Sequence, residues 1–178
     1  MAITASDILY KFSVSAAAGD TTAGTAAGSL GDQISTTQVP DATLHALFDV
    51  ITGPENAASE AEYRCIFVHN NHATLTWENV VVWLSAETAG GAAAAISVDT
   101  TGVTAKGSAS AQAKTVADEN TAPASQTFSS PTSKATGLSI GNIPAGSVQA
   151  IWIRRTAANT AAVNADGVTI RCEGDTAA

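Results

Sequence analysis

Residues 61 to 84 read AEYRCIFVHNNHATLTWENVVVWL, and aromatic and β-branched residues are denser here than anywhere else in the chain. From Glu62 to His69 the pattern alternates. Tyr63, Cys65, Phe67 and His69 fall on one face, and Glu62, Arg64, Ile66 and Val68 on the other, the period of a β-strand. The run HNNHAT supplies turn residues. Trp77 to Leu84 then places Trp77, Val81 and Trp83 on one face and Val80, Val82 and Leu84 on the other. Strands that are apolar on both faces belong in the middle of a fold, and burying each large apolar side chain contributes roughly 1.5–3 kcal/mol. A β core is therefore expected around this segment, with Tyr63, Phe67, Trp77, Val81, Trp83, Trp152 and Ile170 as its stability centre.

Working outward, Ile8 to Ser15 alternates as a half-buried strand. Ser15 to Gly31, SAAAGDTTAGTAAGSLG, has no periodicity and is too rich in glycine for a helix. It reads as an extended arm that a partner would order, or else as a loose terminus; a chain lacking Met1 to Gly31 is expected to keep a folded sandwich and to lose oligomer formation or attachment. Between Ile34 and Val50, the Val39-Pro40 pair forces an extended or turn conformation. Leu44, Leu47 and Phe48 then lie at helical spacing, with Asp41 as a possible cap. Beyond Leu84, Ile96 to Val98 is a short strand. Thr100 to Thr136 is nearly all small and polar and predicts weak edge strands and long loops. Leu138 to Ile143, Val148 to Arg155 and Val168 to Cys172 complete the strands, with turns at Pro144-Ala145-Gly146 and Asn164 to Gly167.

Short strands and Gly and Pro turns without a long helix predict an all-β fold, an antiparallel β-sandwich with an extended N-terminal arm. Residues 1–60 would hold the first strand, the arm and a linker with one helical turn, and residues 61–178 the sandwich. EYRCIFVHNNHATLTWENVVVWL resembles adjacent strands of immunoglobulin-like modules, and IPAGSVQAIWIRRTAANTAAVNADGVTIRCEG resembles their closing hairpin. An eight-stranded jelly roll is the alternative.

The composition narrows the chemistry. Of 178 residues, 45% are hydrophobic but only 5% aromatic, so alanine supplies much of the apolar count and long stretches are left needing a partner. Eight Lys and Arg against sixteen Asp and Glu give a net charge of −8, which disfavours nucleic acid as a partner because phosphate backbones need clustered cations. No segment approaches the ~20 apolar residues of a membrane span, and Met1 to Ser13 lacks the blocks of a signal peptide, so no membrane partner is expected, and synthesis and use in the cytosol are. Cys65 and Cys172 read as reduced, buried thiols.

Cys65, His69 and His72 form C-x3-H-x2-H, but a structural zinc takes four ligands and no fourth lies nearby, so no metal or other cofactor is expected. Ser, His and Asp occur without a nucleophile elbow, which predicts no enzyme and no catalytic residues. Glu55, Glu60 and Glu62, and Asp166, Glu173 and Asp175, fit no calcium loop and read as solvated charges. Gly19, Gly24, Gly28 and Gly31 lack the Lys-Ser or Lys-Thr of a phosphate loop and read as flexibility. The three Trp could form a sugar-stacking platform but are read as core.

SLGDQIS (29–35), LFDVITGPENA (47–57), EYRCIFVHN (62–70), ADENTAP (117–123) and GNIPAGSVQAIWIRRT (141–156) together resemble a family of structural proteins of tailed-phage virions. That family usually carries Gly-Gly where this chain has Gly31-Asp32, implying an altered turn. The resemblance implies a virion location, a non-enzymatic role and other virion proteins as partners. The major capsid protein is the first of these, for a decoration or cement protein. A tail or baseplate component and a virion-displayed carbohydrate-binding module are the alternatives. A homo-oligomer, trimer or dimer, is expected, with Ile8, Tyr10, Phe12, Leu30, Ile34, Leu47 and Phe48 as candidate interface residues.

Overall fold

A computed structural model describes residues 2–176, so residues 1, 177 and 178 of the two spans assigned above lie outside the described residues. The alternating segments form strands β1 (Ile8–Val14), β2 (Gln33–Gln38), β3 (Ala61–Asn70), β4 (Trp77–Glu87) and β5 (Ala93–Val98). They continue as β6 (Thr104–Ala105), β7 (Leu138–Ile143), β8 (Ser147–Thr156) and β9 (Val168–Thr176). All strand pairings are antiparallel, and the strands make two sheets. One has six strands in the order β2-β1-β3-β8-β5, with β6 also on β8, and the other is β7-β4-β9. The fold is an all-β sandwich.

The two densest strands are not neighbours in one sheet. β3 lies in the larger sheet and β4 in the smaller, and the same switch separates β7 from β8 and β8 from β9. The expected closing hairpin is therefore absent, and each of these connections passes from one sheet to the other. At the first crossing the Asn70 side chain donates to the carbonyls of Leu75 (2.8 Å) and Ile143 (2.9 Å), tying the turn HNNHAT to the end of β7. Between the sheets Ile66, Val68, Ile96, Ile151 and Ile153 meet Trp77, Val80, Val82 and Leu84. Trp77 shares this face with Val80 and Val82, against simple alternation, because the ladder shifts between Trp77 and Val80 and Asn79 sits at φ +52°. One extra residue in a strand moves every later side chain to the other face. Val81 and Trp83 accordingly point away from the core that contains Trp77.

The outer face of the large sheet carries a second core, in which Cys65, Phe67, Val148, Ala150 and Trp152 pack with Ile34, Ala113 and Val116. Its lid is the segment expected to be loops, held by backbone bonds such as Val116 N–H to Leu30 O (3.0 Å) and Ala113 N–H to Asp32 O (3.0 Å). Of the expected stability centre, Phe67, Trp77, Trp83 and Trp152 are buried, while Tyr63, Val81 and Ile170 are half-buried.

The extended arm is a correction. β1 lies between β2 and β3, pairing Tyr10 with Val68 and Phe12 with Ile66 on one side and Ser13 with Ile34 on the other. Residues 15–32 fold back over the outer face, with Cys65 N–H donating to Ser29 O (2.7 Å) and Gly19 N–H to Ser108 O (2.9 Å). The boundary at residue 60 thus separates no arm from a sandwich. The glycines read as flexibility serve close approach: a Cβ on Gly31, at φ +98°, would lie 1.8 Å from Lys114 O, and one on Gly19 would lie 2.0 Å from Lys106 O. A side chain fits at neither position.

Two elements of the linker also differ from expectation. QISTTQ forms β2 although it offers one large apolar residue, because Ile34 alone is needed to reach the outer core. DATLHALFDVI is not helical; Ala42 and His45 adopt positive φ (49° and 58°), and Asp41 accepts from the adjacent Ala42 N–H (2.9 Å). The helix, α1 (Gly53–Ala58), begins after Thr52, which with Glu55 makes a capping box ahead of Pro54.

Candidate functional site

Charge concentrates at the far end of β3 and β8. Three of the four arginines, Arg64, Arg154 and Arg155, stand there. On the inner face Glu62 is opposite Arg155 and Arg64 opposite Ile153. Arg155 Nε donates to Glu62 (2.6 Å), its other nitrogens reach the Asp49 carbonyl and carboxylate, and Arg64 pairs with Glu119. The Phe48 ring lies 4.8 Å from the Arg155 guanidinium and 5.6 Å from that of Arg64. On the outer face Phe128 lies 5.5 Å from the Arg154 guanidinium and packs edge-on against Tyr63 at 5.4 Å. Burial pushes the Glu62 carboxyl above the usual range despite the pull of Arg155. Glu62 is thus a buried ion-pair partner and not a solvated charge. The cluster clamps the 39–60 linker and the 117–120 loop onto the strand ends, each guanidinium engaged by a carboxylate or a ring.

A second polar centre sits at the other end of the outer face. Lys11 Nζ bonds Asp20 (2.6 Å), which also takes Lys106 (3.0 Å). His69 is 1% exposed beside them, and neither ring nitrogen has a partner. Burial, reinforced by Lys11 and Lys106, lowers its pKa to about 4. Burial pushes Asp20 up, but hydrogen bonds and charge from Lys11 and Lys106 outweigh it and leave the carboxyl low. Gln112, fully buried, accepts from Ile34 N–H (2.9 Å) and donates to Ala105 O (2.7 Å). Trp152 Nε1 donates to Asp99 (2.8 Å), which also accepts from Lys114 N–H (3.0 Å).

The zinc-like spacing does not assemble. Cys65 and His69 share the outer face, but His72 accepts at Nδ1 from Thr74 N–H (3.1 Å) and Leu75 N–H (3.0 Å), and no group of three possible ligands occurs among the described residues. Cys65 is buried and Cys172 half-buried, both free; burial raises the first thiol well above its usual range and pushes the second up to about 12. The candidate interface residues are scattered. Phe12 and Ile34 are core, Ile8, Tyr10, Leu47 and Phe48 pack against the inner core, and Leu30 packs against the outer one. Among the described residues the large apolar side chains that do face solvent are Leu44 (63% exposed), Val50 (61%) and Val163 (37%), two of them on the excursion between β2 and α1. All three Trp are buried, so they form no stacking platform.

The arginine clamp was missed in the sequence, although Arg154-Arg155 ending an apolar strand opposite Glu-x-Arg is a visible signal that the strand ends are charge-paired. Compared with protein-family models, curated proteins and solved structures, the chain matches none.

Proposed function

We propose that this chain is a non-enzymatic structural protein of a tailed-phage particle, a decoration or cement protein bound to the major capsid shell. The observation that carries the reading is where the five resembling segments lie. Separated by up to some hundred residues in the chain, they come together around β3. Cys65 N–H bonds Ser29 O, Tyr63 N–H bonds Glu119 O, Phe48 stacks on Arg64 and Arg155, and β8 pairs along the whole of β3. A likeness spread over distant segments that fold into one knot is a likeness of scaffold, which is what a structural virion family would share. Its chemistry is packing and ion pairing.

On this reading the shell contact is made by the excursion of residues 41–50, where Leu44 and Val50 offer apolar surface to a neighbour. The test is to locate the protein by cryo-electron microscopy of purified particles and to measure rebinding of Leu44→Asp/Val50→Asp protein to particles stripped of it. Density on the capsid lattice, with binding lost in the variant, supports the reading. Density at the tail would assign the protein to the tail or baseplate, and absence from particles would refute the virion role.

A further inference from the structure

A sheet edge presents a row of free N–H and C=O groups that pairs with another strand unless something blunts it. The two sheets end at β2, β5, β7 and β9. β2 is covered by its own chain, with Asp20 N–H on Ile34 O (2.8 Å) and Thr36 N–H on Thr22 O (2.9 Å). β5 is covered likewise, Ile96 exchanging both backbone bonds with Ser129 (2.8 and 3.0 Å). β7 carries its own irregularity opposite Val80 and Val81, with Gly141 at φ +85°.

From Val168 to Asp175 β9 has none of these protections; only at its last residue does Ile3 N–H donate to the Thr176 side chain (3.3 Å). Both irregularities in its ladder take the extra residue from β4, where Glu78 and Val81 face Asp175 and Glu173, and Leu84 and Ala86 face Ile170 and Thr169. β9 therefore runs for nine residues unbroken, with neither Pro nor Lys. Among the described residues no backbone hydrogen bond reaches it on the side away from β4. Its inward residues Val168, Ile170 and Cys172 stay half-buried, and a groove of about 280 Å³, lined among others by Ile3, Ile8, Tyr10 and Cys172, opens beside it.

We propose that β9 pairs antiparallel with β9 of a second copy of this chain about a two-fold axis at Cys172, joining the two small sheets into one of six strands. The occupant follows from charge. On the exposed face β9 carries Arg171, Glu173 and Asp175. With Cys172 opposite its own copy, Arg171 meets Glu173 twice. Moving the axis to Glu173 opposes two glutamates, and moving it to Arg171 opposes two arginines, both unfavourable across a strand pair. With a net charge of −8 opposing association of two copies in general, the paired Arg171–Glu173 contacts supply the local complementarity that favours this edge and this register. The inference stands apart from the virion reading and holds or fails without it.

The test is the oligomeric state of the full chain by sedimentation velocity and light scattering, with circular dichroism to confirm the fold of each variant. The wild type is expected to be a dimer, R171E a monomer, and R171E/E173R a dimer again. Because Glu173 also bonds Lys134 on the surface, a second pair of variants checks the register: Thr169→Cys with Asp175→Cys, in a Cys172→Ser background, should crosslink between copies on mild oxidation. A monomeric wild type, a dimer that survives R171E, a charge swap that restores nothing, or no crosslink between copies would overturn the proposal.

Discussion

Acidification should loosen the layer over β1 and β3, and His69 sets the size of the effect. The ring is 1% exposed with both nitrogens unpartnered, and burial together with Lys11 and Lys106 holds its pKa at about 4, against 6.5 for a free side chain. Between those values the unfolded chain binds a proton that the folded chain refuses. The contribution is therefore whole above pH 6.5 and is lost as pH falls toward 4. At ~1.4 kcal/mol per unit the window amounts to about 3 kcal/mol, a large part of the roughly 5–15 kcal/mol that holds a domain together. Asp20, held low, acts in the same direction but only as pH falls below its ordinary value of 3.8. Glu62, raised by burial, acts oppositely, adding stability as pH falls toward 4.5. Replacing His69 by Phe removes the histidine contribution and leaves the other two. Urea unfolding of both proteins at about pH 7 and about pH 4 should show the wild type losing about 3 kcal/mol more than the variant. Equal losses would refute the argument.

Deleting residues 1–31 should abolish folding, because β1 is an interior strand, and buried Phe12 with half-buried Ile8 and Tyr10 account for roughly 3–6 kcal/mol; far-ultraviolet circular dichroism of the truncated chain checks this, and a cooperative melt would contradict it. Trp152→Phe removes a buried indole donor and leaves Asp99 short of a partner, so the thermal midpoint should fall with a loss of about 2–4 kcal/mol, and an unchanged midpoint would deny the outer core its role. Both cysteines should react slowly with a thiol reagent at about pH 8 in native protein and at once in denaturant, Cys172 ahead of Cys65, since both thiols are raised and only Cys172 is half-exposed; native Cys65 reacting first would reverse the burial assigned to the two faces of the sandwich.

The strands were legible because alternation survives in single residues: Ile8 to Val14, Ala61 to Asn70 and Ser147 to Thr156 each show it. Which sheet each strand joins was not. β3 and β4 carry the same kind of pattern whether they lie side by side or face to face, and the deciding residue, Asn70, acts through bonds to Leu75 and Ile143 that no local pattern announces. The switch of Trp77 onto the face of Val80 depends on one inserted residue at Asn79. β2 escaped notice because five of its six residues are Gln, Ser or Thr. The polar centres were hidden for a related reason: Lys11, Asp20, His69 and Lys106 are far apart in the chain, and each alone resembles an ordinary surface residue.

The low aromatic content reflects a division of labour between the two faces of the large sheet. The inner face is conventional, with branched aliphatic residues and Trp77 filling the space between sheets. On the outer face the covering layer brings few large side chains, chiefly Leu30, Ile34, Val116 and Phe128, and gains cohesion from backbone and amide bonds to Ser29, Asp32, Asp99 and Gln112 instead. Such bonds are short and directional, so they demand close approach, and the bare glycines at 19 and 31 permit it. A chain of small residues can in this way cover one face of a sheet without a third sheet, and it keeps its largest exposed apolar groups for the excursion that carries Leu44 and Val50.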